Sequence, residues 1–450
     1  MSMNTKTMPG KTRALVALTA LSLTLTFAAG GRSGVRAQAG GGARGAGARA
    51  GGPGEANESA QLPTLTAPVR ITPDFTIRAI QTDRLGASYP RIIQLQHYAP
   101  GKGQLLVTFA GGGGAGMPVF RSTDNGETFH FFSELTRLRG QPTIYELPVK
   151  MGEFPAGTIM AAGGLEQPDP TKRMLAASYS SDGGKTWQYL STFAEGGPGR
   201  YDPADRAGLS LQQNPVFEPY FYTDAKGRLV VYFSDERHKR DGYSQLNAHR
   251  VSNDGGRTWG DLVYDVAIPD GLARPGMAVV TRANNGKFYM TYEMVSMPGY
   301  ALEPRSNPVY FKVSDDGLNW GDPKHPGTLI QDRWRQFPQA TPYIVWSPWP
   351  APNGTLLVTG RGIMRFDLGL VGNGMMINRN YGEGLWTLIE TPIRYIPNPS
   401  GYSHTMIPLG DGREILQVVP VDGRILYAKF KLPEKLPEYP WPFGPRKAGQ

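Results

Sequence analysis

The 450-residue chain contains no cysteine. Disulfides and thiolate metal sites are thereby excluded, and the fold must rest on packed apolar cores, which a chain of this size can build. Histidine is scarce, and His97, His130, His238, His249, His325 and His404 show no metal-ligand spacing, so no metal and no cofactor is expected. Neither a Gly-x-x-x-x-Gly-Lys phosphate loop nor a Gly-x-Ser-x-Gly nucleophile elbow occurs. Helical periodicity of useful length is missing beyond the N-terminal region. Lys and Arg exceed Asp and Glu by a formal +9, but they are scattered and form no dense basic run outside the ends, so nucleic acid is not an expected partner.

What the chain does have is a repeated turn. Ser122-Thr-Asp124-Asn-Gly126-Glu-Thr128-Phe129, Ser180-Ser-Asp182-Gly-Gly184-Lys-Thr186-Trp187 and Ser252-Asn-Asp254-Gly-Gly256-Arg-Thr258-Trp259 share Ser-x-Asp-x-Gly-x-Thr-aromatic. Ser314-Asp-Asp316-Gly317-Leu-Asn-Trp320 and Asn378-Arg-Asn380-Tyr-Gly382, leading to Trp386, are worn copies. Asp accepts hydrogen bonds from amides just downstream and Gly supplies a positive φ, so each copy predicts a self-capping β-turn. The aromatic that follows begins a new strand and can fold back over the turn. From Asp124 through Asp182, Asp254 and Asp316 to Asn380 the intervals are 58, 72, 62 and 64 residues. Each interval suits one four-stranded sheet with its connections, and a radial array of such sheets is a β-propeller. The turns resemble the Asp-boxes of the sialidase superfamily of propellers. That resemblance implies that Asp124, Asp182 and Asp254 lie away from the ligand face and are not catalytic.

Short apolar runs punctuated by Gly, Asn and Asp agree with this reading: Arg91–Leu95, Gln104–Phe109, Arg228–Phe233, Lys287–Tyr292 and Thr355–Thr359. The strand groups predict an all-β, six-bladed β-propeller of sialidase type with Asp-box hairpin turns, in one domain over residues 62–433. Closure is expected to pair the segment near Val69 to Ile77 with the last strand around Arg424 to Phe430, hiding edges that would otherwise aggregate. At the other end Lys6, Lys11 and Arg13 precede an apolar run from Ala14 to Ala29, and Ala37-Gln-Ala39 offers a small-residue cleavage site. Residues 1–39 therefore read as an export signal, placing the mature protein outside the cell or in a periplasm, with an uncleaved anchor as the alternative. Residues 40–61 read as a Gly/Ala-rich flexible linker and 434–450 as a Pro- and charge-rich tail. A monomer with no membrane attachment after signal removal is expected.

A propeller places its ligand site at the axis, where the inner ends of several blades converge. Candidates in that setting are Tyr89-Pro-Arg91, Asn214-Pro-Val-Phe-Glu218-Pro-Tyr220, Ser234-Asp235-Glu236-Arg237, Arg274-Pro-Gly-Met277, Thr291-Tyr292-Glu293, Gly360-Arg361 and Gly401-Tyr402-Ser403. Glu218 and Glu293 stand at expected strand ends beside aromatics, in different blades, so both can face one pocket. An apolar surround keeps one carboxylic acid protonated while a nearby cation holds the other ionised, the minimal machinery for cleaving a glycosidic bond.

The order Phe217-Glu218-Pro-Tyr, Tyr232-Phe-Ser-Asp235-Glu-Arg, the box at Ser252, Arg274-Pro-Gly-Met277 and Asn285-Gly-Lys-Phe-Tyr-Met-Thr-Tyr-Glu293 is similar to that of the exo-α-1,5-L-arabinanases, a family of six-bladed sialidase-like propellers. The resemblance implies retaining release of a disaccharide from an arabinan chain end, with Glu218 and Glu293 as acid/base and nucleophile in either order. Tyr402 corresponds to a late tyrosine of the family and is a third catalytic candidate. Arg91, Asp235, Arg274 and Arg361 are candidate substrate-binding residues, and Tyr220, Tyr292 and Trp334 candidate stacking surfaces for sugar rings. The expected partner is an oligosaccharide or polysaccharide. Phe217 departs from the Trp more usual at its position, and the run Gly111-Gly-Gly-Gly-Ala-Gly116 is unusual for the family. Two other readings stay open. A sialidase would clamp a carboxylate with the arginines and use Tyr402 as nucleophile, although Ile92 to Thr123 contains no Asp or Glu to supply its usual acid. A non-catalytic carbohydrate- or protein-binding propeller would need no paired carboxyls at all.

Overall fold

A computed structural model describes residues 69–71, 75–82, 85–112, 116–166, 169, 171–198, 213–295, 307–393 and 402–436. The expected export signal, the linker, the tail beyond 436, Gly113–Ala115 and Gly401 lie outside the described residues. All described residues belong to the unit Pro63–Gln450.

The β-branched and aromatic runs form short antiparallel strands, and the only helical elements among the described residues are two three-residue 3-10 turns, Ala99–Gly101 and Lys239–Asp241. No helix among them is long and apolar enough to cross a membrane. The strands assemble into six four-stranded sheets and one of three strands. Sheet 1 runs Leu85–Gln94, Leu105–Gly112, Met117–Ser122 and His130–Leu135. Sheet 2 runs Leu138–Glu146, Ile159–Leu165, Arg173–Ser180 and Gln188–Gly196. Sheet 3 comprises Val216–Thr223, Leu229–Asp235, Leu246–Ser252 and Val263–Val266, and sheet 4 Arg274–Arg282, Phe288–Val295, Val309–Ser314 and Thr328–Leu329. Sheet 5 is built from Tyr343–Ser347, Thr355–Thr359, Met375–Asn378 and Thr387–Ile389. Sheet 6 takes Thr405–Leu409, Glu414–Val421 and Arg424–Lys431 from the end of the chain and Arg78–Ala79 from its start. Gln336–Gln339, Gly362–Arg365 and Gly369–Gly372 form the three-stranded sheet beside sheet 5.

The first strand of each of the six sheets touches the first strand of the next, and that of sheet 6 touches that of sheet 1. The pairing of the early segment differs from the expected one. Arg78 and Ala79 pair with Tyr427 and Leu426, whereas Val69 bridges Ile389 at the edge of sheet 5. The early segment is thus divided between two sheets, with Ile71 buried in the sheet 5 core.

Each Asp-box lies at the end of a third strand and caps its turn as the residue pattern predicts. In the first copy Ser122 Oγ donates to Asp124 Oδ1 at 2.7 Å, Gly126 N donates to Ser122 Oγ at 2.8 Å, and Thr128 N and Oγ1 donate to Asp124 at 3.0 and 2.6 Å. The same bonds recur around Asp182 and Asp254. The aromatic closes against the preceding sheet: Trp187 Nε1 donates to Ser133 Oγ and Trp259 Nε1 to Ser191 Oγ, both at 3.0 Å.

A second repeat was not anticipated. The first strand of every sheet carries or follows a non-glycine residue of positive φ: Tyr89 (51°), Gln141 (50°), Glu218 (59°), Met277 (59°), Thr341 (46°) and Ser403 (65°). In sheets 1 to 4 the ladder slips there, between Ser88 and Arg91, Arg139 and Thr143, Phe217 and Tyr220, and Gly276 and Val279. Such bulges re-aim side chains, and each strained residue costs about 1–3 kcal/mol that the surrounding sheet must offset.

Candidate active site

In these antiparallel sheets the first strands begin, the second strands end and the third strands begin at one edge. The repeated turns, at the ends of third strands, occupy the opposite edge. The positive-φ residues therefore gather at the first edge, and Glu218 is one of them.

Its bulge points the Glu218 carboxylate toward sheet 4. Oε2 accepts from Ser234 Oγ at 2.8 Å and from Met277 N at 3.1 Å, and Met277 N lies 3.1 Å from the Ser234 hydroxyl as well. Tyr89 Oη, from sheet 1, is 3.5 Å from Oε1. Gly276 leaves room for Gln245: a Cβ there would fall 2.6 Å from Gln245 Nε2. Gly276 also pairs across the ladder with Glu293. One stretch of backbone, Gly276-Met277, thus places both glutamates, binding one through its amide and carrying the other on the adjacent strand. Glu293 Oε2 accepts from Thr341 N at 2.7 Å, an amide presented by the positive-φ turn into sheet 5.

The two carboxyls are both raised by burial, in different surroundings. Burial, followed by the charge of Glu218, pushes Glu293 up to about 7, against the opposing pull of the Thr341 amide, Arg361 and Arg274. Burial also raises Glu218, but Ser234, the Met277 amide, Arg91 and Arg274 all stabilise its ionised form. Glu293 can therefore hold a proton up to near-neutral pH, while the donors around Glu218 favour its anion. The same imbalance bears on stability. A carboxyl raised above its unfolded value of 4.5 weakens the fold as pH rises past that value, and the loss is complete above about 7. Glu293→Gln is therefore expected to unfold at a higher Tm than the wild type at pH 8, with the gap closing toward pH 4.5. A gap that does not change with pH in thermal scans would contradict this.

The arginines surround the pair. Buried Arg91 donates to Ser403 Oγ at 2.6 Å and Pro90 O at 2.9 Å, and its guanidinium lies 5.5 Å from the centre of the Tyr343 ring. Arg274 donates to Glu236 at 2.5 Å and Gln245 at 2.8 Å, and Lys239 holds the other Glu236 oxygen at 2.6 Å. Arg361 sits 5.1 Å from the centre of the Tyr402 ring. Tyr402, 44 % exposed, stacks on Tyr89 at 5.4 Å with the rings 3° from parallel. Tyr220 meets Tyr343 edge-on and donates to Val280 O at 3.2 Å. Glu218, Glu293, Arg91, Arg274, Arg361, Tyr402 and Tyr220 are thus brought to one edge.

Three other candidates are not brought to the pair. Asp235 is fully buried and holds Arg237 through both oxygens. Tyr292 is buried between sheets 3 and 4 with its hydroxyl donating to Pro326 O. Trp334 stands in the turn before the small sheet, against Arg333. Tyr89, Ser234 and Ser403 stand in the candidate runs without an assigned role, and Gln141, Thr341 and Tyr343 carry no chemical pattern that marks them for this edge. A signal was present: Tyr89-Pro, Gln141-Pro, Glu218-Pro and Thr341-Pro put a proline directly after the pivot in four of the six first strands.

Among solved structures, an α-L-arabinanase of Penicillium chrysogenum complexed with arabinobiose matches 83 % of this chain and 100 % of its own, with 30 % identity and a TM-score of 0.67. This chain belongs to the α-L-arabinanase family of sialidase-like β-propellers. It is a glycoside hydrolase. A GH93 α-L-arabinofuranosidase of Fusarium graminearum complexed with arabinobiose shares the fold over 78 % of this chain and 95 % of its own, at 24 % identity and a TM-score of 0.64. No family model and no curated protein matches the sequence. Among the described residues no cluster of His, Asp or Glu is arranged to hold a metal ion.

Proposed function

We propose that this arabinanase-family enzyme is an exported, retaining, exo-acting hydrolase of arabinan-type neutral oligosaccharides, built as a closed propeller of six blades. The six four-stranded sheets, touching in cyclic order through their first strands, support the blade count. The observation that carries the catalytic reading is the convergence of the two glutamates on Gly276-Met277, with Glu218 held by Ser234 Oγ and the Met277 amide and Glu293 paired across the ladder and held by the Thr341 amide. Glu293 protonates the departing glycosidic oxygen while a Glu218 oxygen attacks the anomeric carbon. The bond to the leaving sugar breaks as the glycosyl–Glu218 ester forms. Glu293, now a carboxylate, then takes a proton from water, which attacks the same carbon and frees Glu218 with net retention. Retention requires the two carboxyls to lie about 5 to 5.5 Å apart, which suits a pair whose charges act directly on one another. Ser234 and the Met277 amide keep Glu218 ionised and oriented, and Tyr89 and Tyr402 offer a stacked aromatic wall for the sugar. Arabinobiose, the ligand of the Penicillium and Fusarium proteins, supports a disaccharide product.

Arg91 and Arg274 already donate to Ser403, Pro90, Glu236 and Gln245, which weighs against the three-arginine carboxylate clamp that a sialidase would need. The purified mature chain is expected to release a disaccharide from linear α-1,5-arabino-oligosaccharides, with proton NMR showing the retained anomer first, and to leave a fluorogenic sialoside intact. Absence of arabinan cleavage, or initial release of the inverted anomer, would overturn the reading.

A further inference from the structure

Three successive pivots meet at the site. Tyr89, Gln141 and Glu218 are the positive-φ residues of sheets 1, 2 and 3, each at the slip in its own ladder and each followed by proline. Strain of this kind clusters at functional sites, and here the three side chains join in one run of hydrogen bonds. Arg173, which opens the third strand of sheet 2, donates through Nη2 to Gln141 Oε1 at 3.1 Å. Gln141 is hydrogen-bonded in turn to the side chain of Tyr89, and Tyr89 Oη donates to Glu218 Oε1 at 3.5 Å.

The run has one direction. A guanidinium carries donors only, so the Gln141 carbonyl must face Arg173 and its amide N–H must face Tyr89. The Tyr89 oxygen accepts that N–H, which leaves the hydroxyl proton for Glu218. The proton stays on the phenol, because burial, followed by the charge of Glu218, pushes its titration well above the ordinary range. The ring is fixed as well, stacked on Tyr402 at 5.4 Å. The two oxygens of Glu218 therefore differ. Oε2 accepts from Ser234 Oγ and Met277 N at 2.8 and 3.1 Å, donors that suit the carbonyl oxygen of an ester. Oε1 meets the Tyr89 hydroxyl at a longer distance, and such contacts shorten as a reacting complex forms.

We infer that Tyr89 is a further catalytic residue: Oε1 is the attacking oxygen of Glu218, and the Tyr89 hydroxyl, aimed by Gln141, stabilises the negative charge on it. The inference rests on the proposed hydrolase reading with Glu218 as nucleophile. In the first step Oε1 bonds to the anomeric carbon as the glycosidic bond breaks and Glu293 gives its proton to the departing oxygen. In the second, water attacks that carbon, Glu293 takes the water's proton, and the carbon–Oε1 bond breaks with its electron pair returning to Oε1. Tyr89 donates a hydrogen bond to the returning charge and keeps its proton throughout. Gln141 and Arg173 are positioning residues that act through Tyr89.

Tyr89→Phe removes the hydroxyl and keeps the ring, and the charged groups that act on Glu218, namely Arg91, Arg173, Arg274 and Glu293, stay in place. On linear α-1,5-arabino-oligosaccharides kcat should fall about 10- to 100-fold, and KM should fall with it because the ester accumulates. The acid limb of kcat/KM, where Glu218 gains its proton, should move to higher pH, since a donor to the anion has been lost. Gln141→Met should lower kcat about 3- to 10-fold and move the limb the same way, and both effects should vanish in a Tyr89→Phe background. An acid limb unchanged in Tyr89→Phe of native circular dichroism, or a Gln141→Met effect of full size without the hydroxyl, would overturn the inference, while cleavage itself leaves the hydrolase reading standing. If wild type cleaves none of these chains, that reading fails first, and carboxyl carbon NMR decides whether Tyr89 holds Glu218: a Glu218 titration that moves up in Tyr89→Phe upholds the contact, and one that stays in place removes it.

Discussion

Glu293→Gln is expected to lower kcat on arabino-oligosaccharides by about 10² to 10⁴-fold, yet to retain rapid first-step cleavage of an aryl α-L-arabinofuranoside whose phenolate departs without a proton. The amide cannot protonate a sugar leaving group, but it leaves Glu218 and its donors in place. The second step still needs a base, so the variant should show a burst of phenolate followed by slow turnover, and azide, which attacks without one, should speed that turnover. Glu218→Gln should lose about 10⁴-fold or more on both substrates, with no burst, because no ester can form. The pH profile checks the same assignment. With Glu293 pushed up to about 7, wild-type activity should decline as pH rises through that value and the acid loses its proton. Burst rate in Glu293→Gln should lack this limb. In Glu218→Gln the second cause of the Glu293 shift is removed, so its titration, followed by carboxyl carbon NMR, should move to lower pH. A burst in Glu218→Gln and none in Glu293→Gln would exchange the two roles.

The architecture was legible because it depends on local chemistry repeated many times. Ser-x-Asp-x-Gly-x-Thr-aromatic closes its own hydrogen bonds, so Asp124, Asp182 and Asp254 announce a turn wherever they stand, and their spacing suits one four-stranded sheet per interval. Glu218 and Glu293 were legible as a pair because each is a carboxyl beside an aromatic near a strand end. The rest depended on which side of a strand a residue faces, which a bulge of one residue inverts. Tyr292 and Glu293 are neighbours, so one faces the core between sheets and the other the pocket. Ser234 and Asp235 divide likewise: the serine donates to Glu218 and the aspartate holds Arg237. Residues such as Gln141 and Thr341 carry no chemical signature of a site. Their role comes from a positive φ that places an amide or a side chain at the axis, and the only trace in the sequence is the proline that follows. The register of the sixth sheet was not readable, since two residues, Arg78 and Ala79, are enough to complete it.

The opposite edge should govern stability rather than turnover. Trp259 lies parallel to Phe221 at 6.1 Å and 5.5 Å from Phe193, and its indole N–H donates to Ser191 of the preceding sheet. It therefore joins sheets 2 and 3 by packing and by a directed bond together. Trp259→Ala removes both and leaves a void between sheets that cannot collapse without moving two ladders, so a loss of about 3 kcal/mol is expected. Asp254→Ala removes the acceptor for Ser252 Oγ, Thr258 N and Thr258 Oγ1, a loss of about 1 to 2 kcal/mol. The turn and the ring form one unit, because the box fixes the backbone from which Trp259 projects. Once the ring is gone, opening the turn should cost less, and the double variant should lose less than the two single losses combined. Urea unfolding midpoints of the four proteins measure this coupling. Additive losses would mean that the box and its aromatic act independently, and a fall in kcat below the unfolding transition would mean that the box edge reaches the catalytic pair.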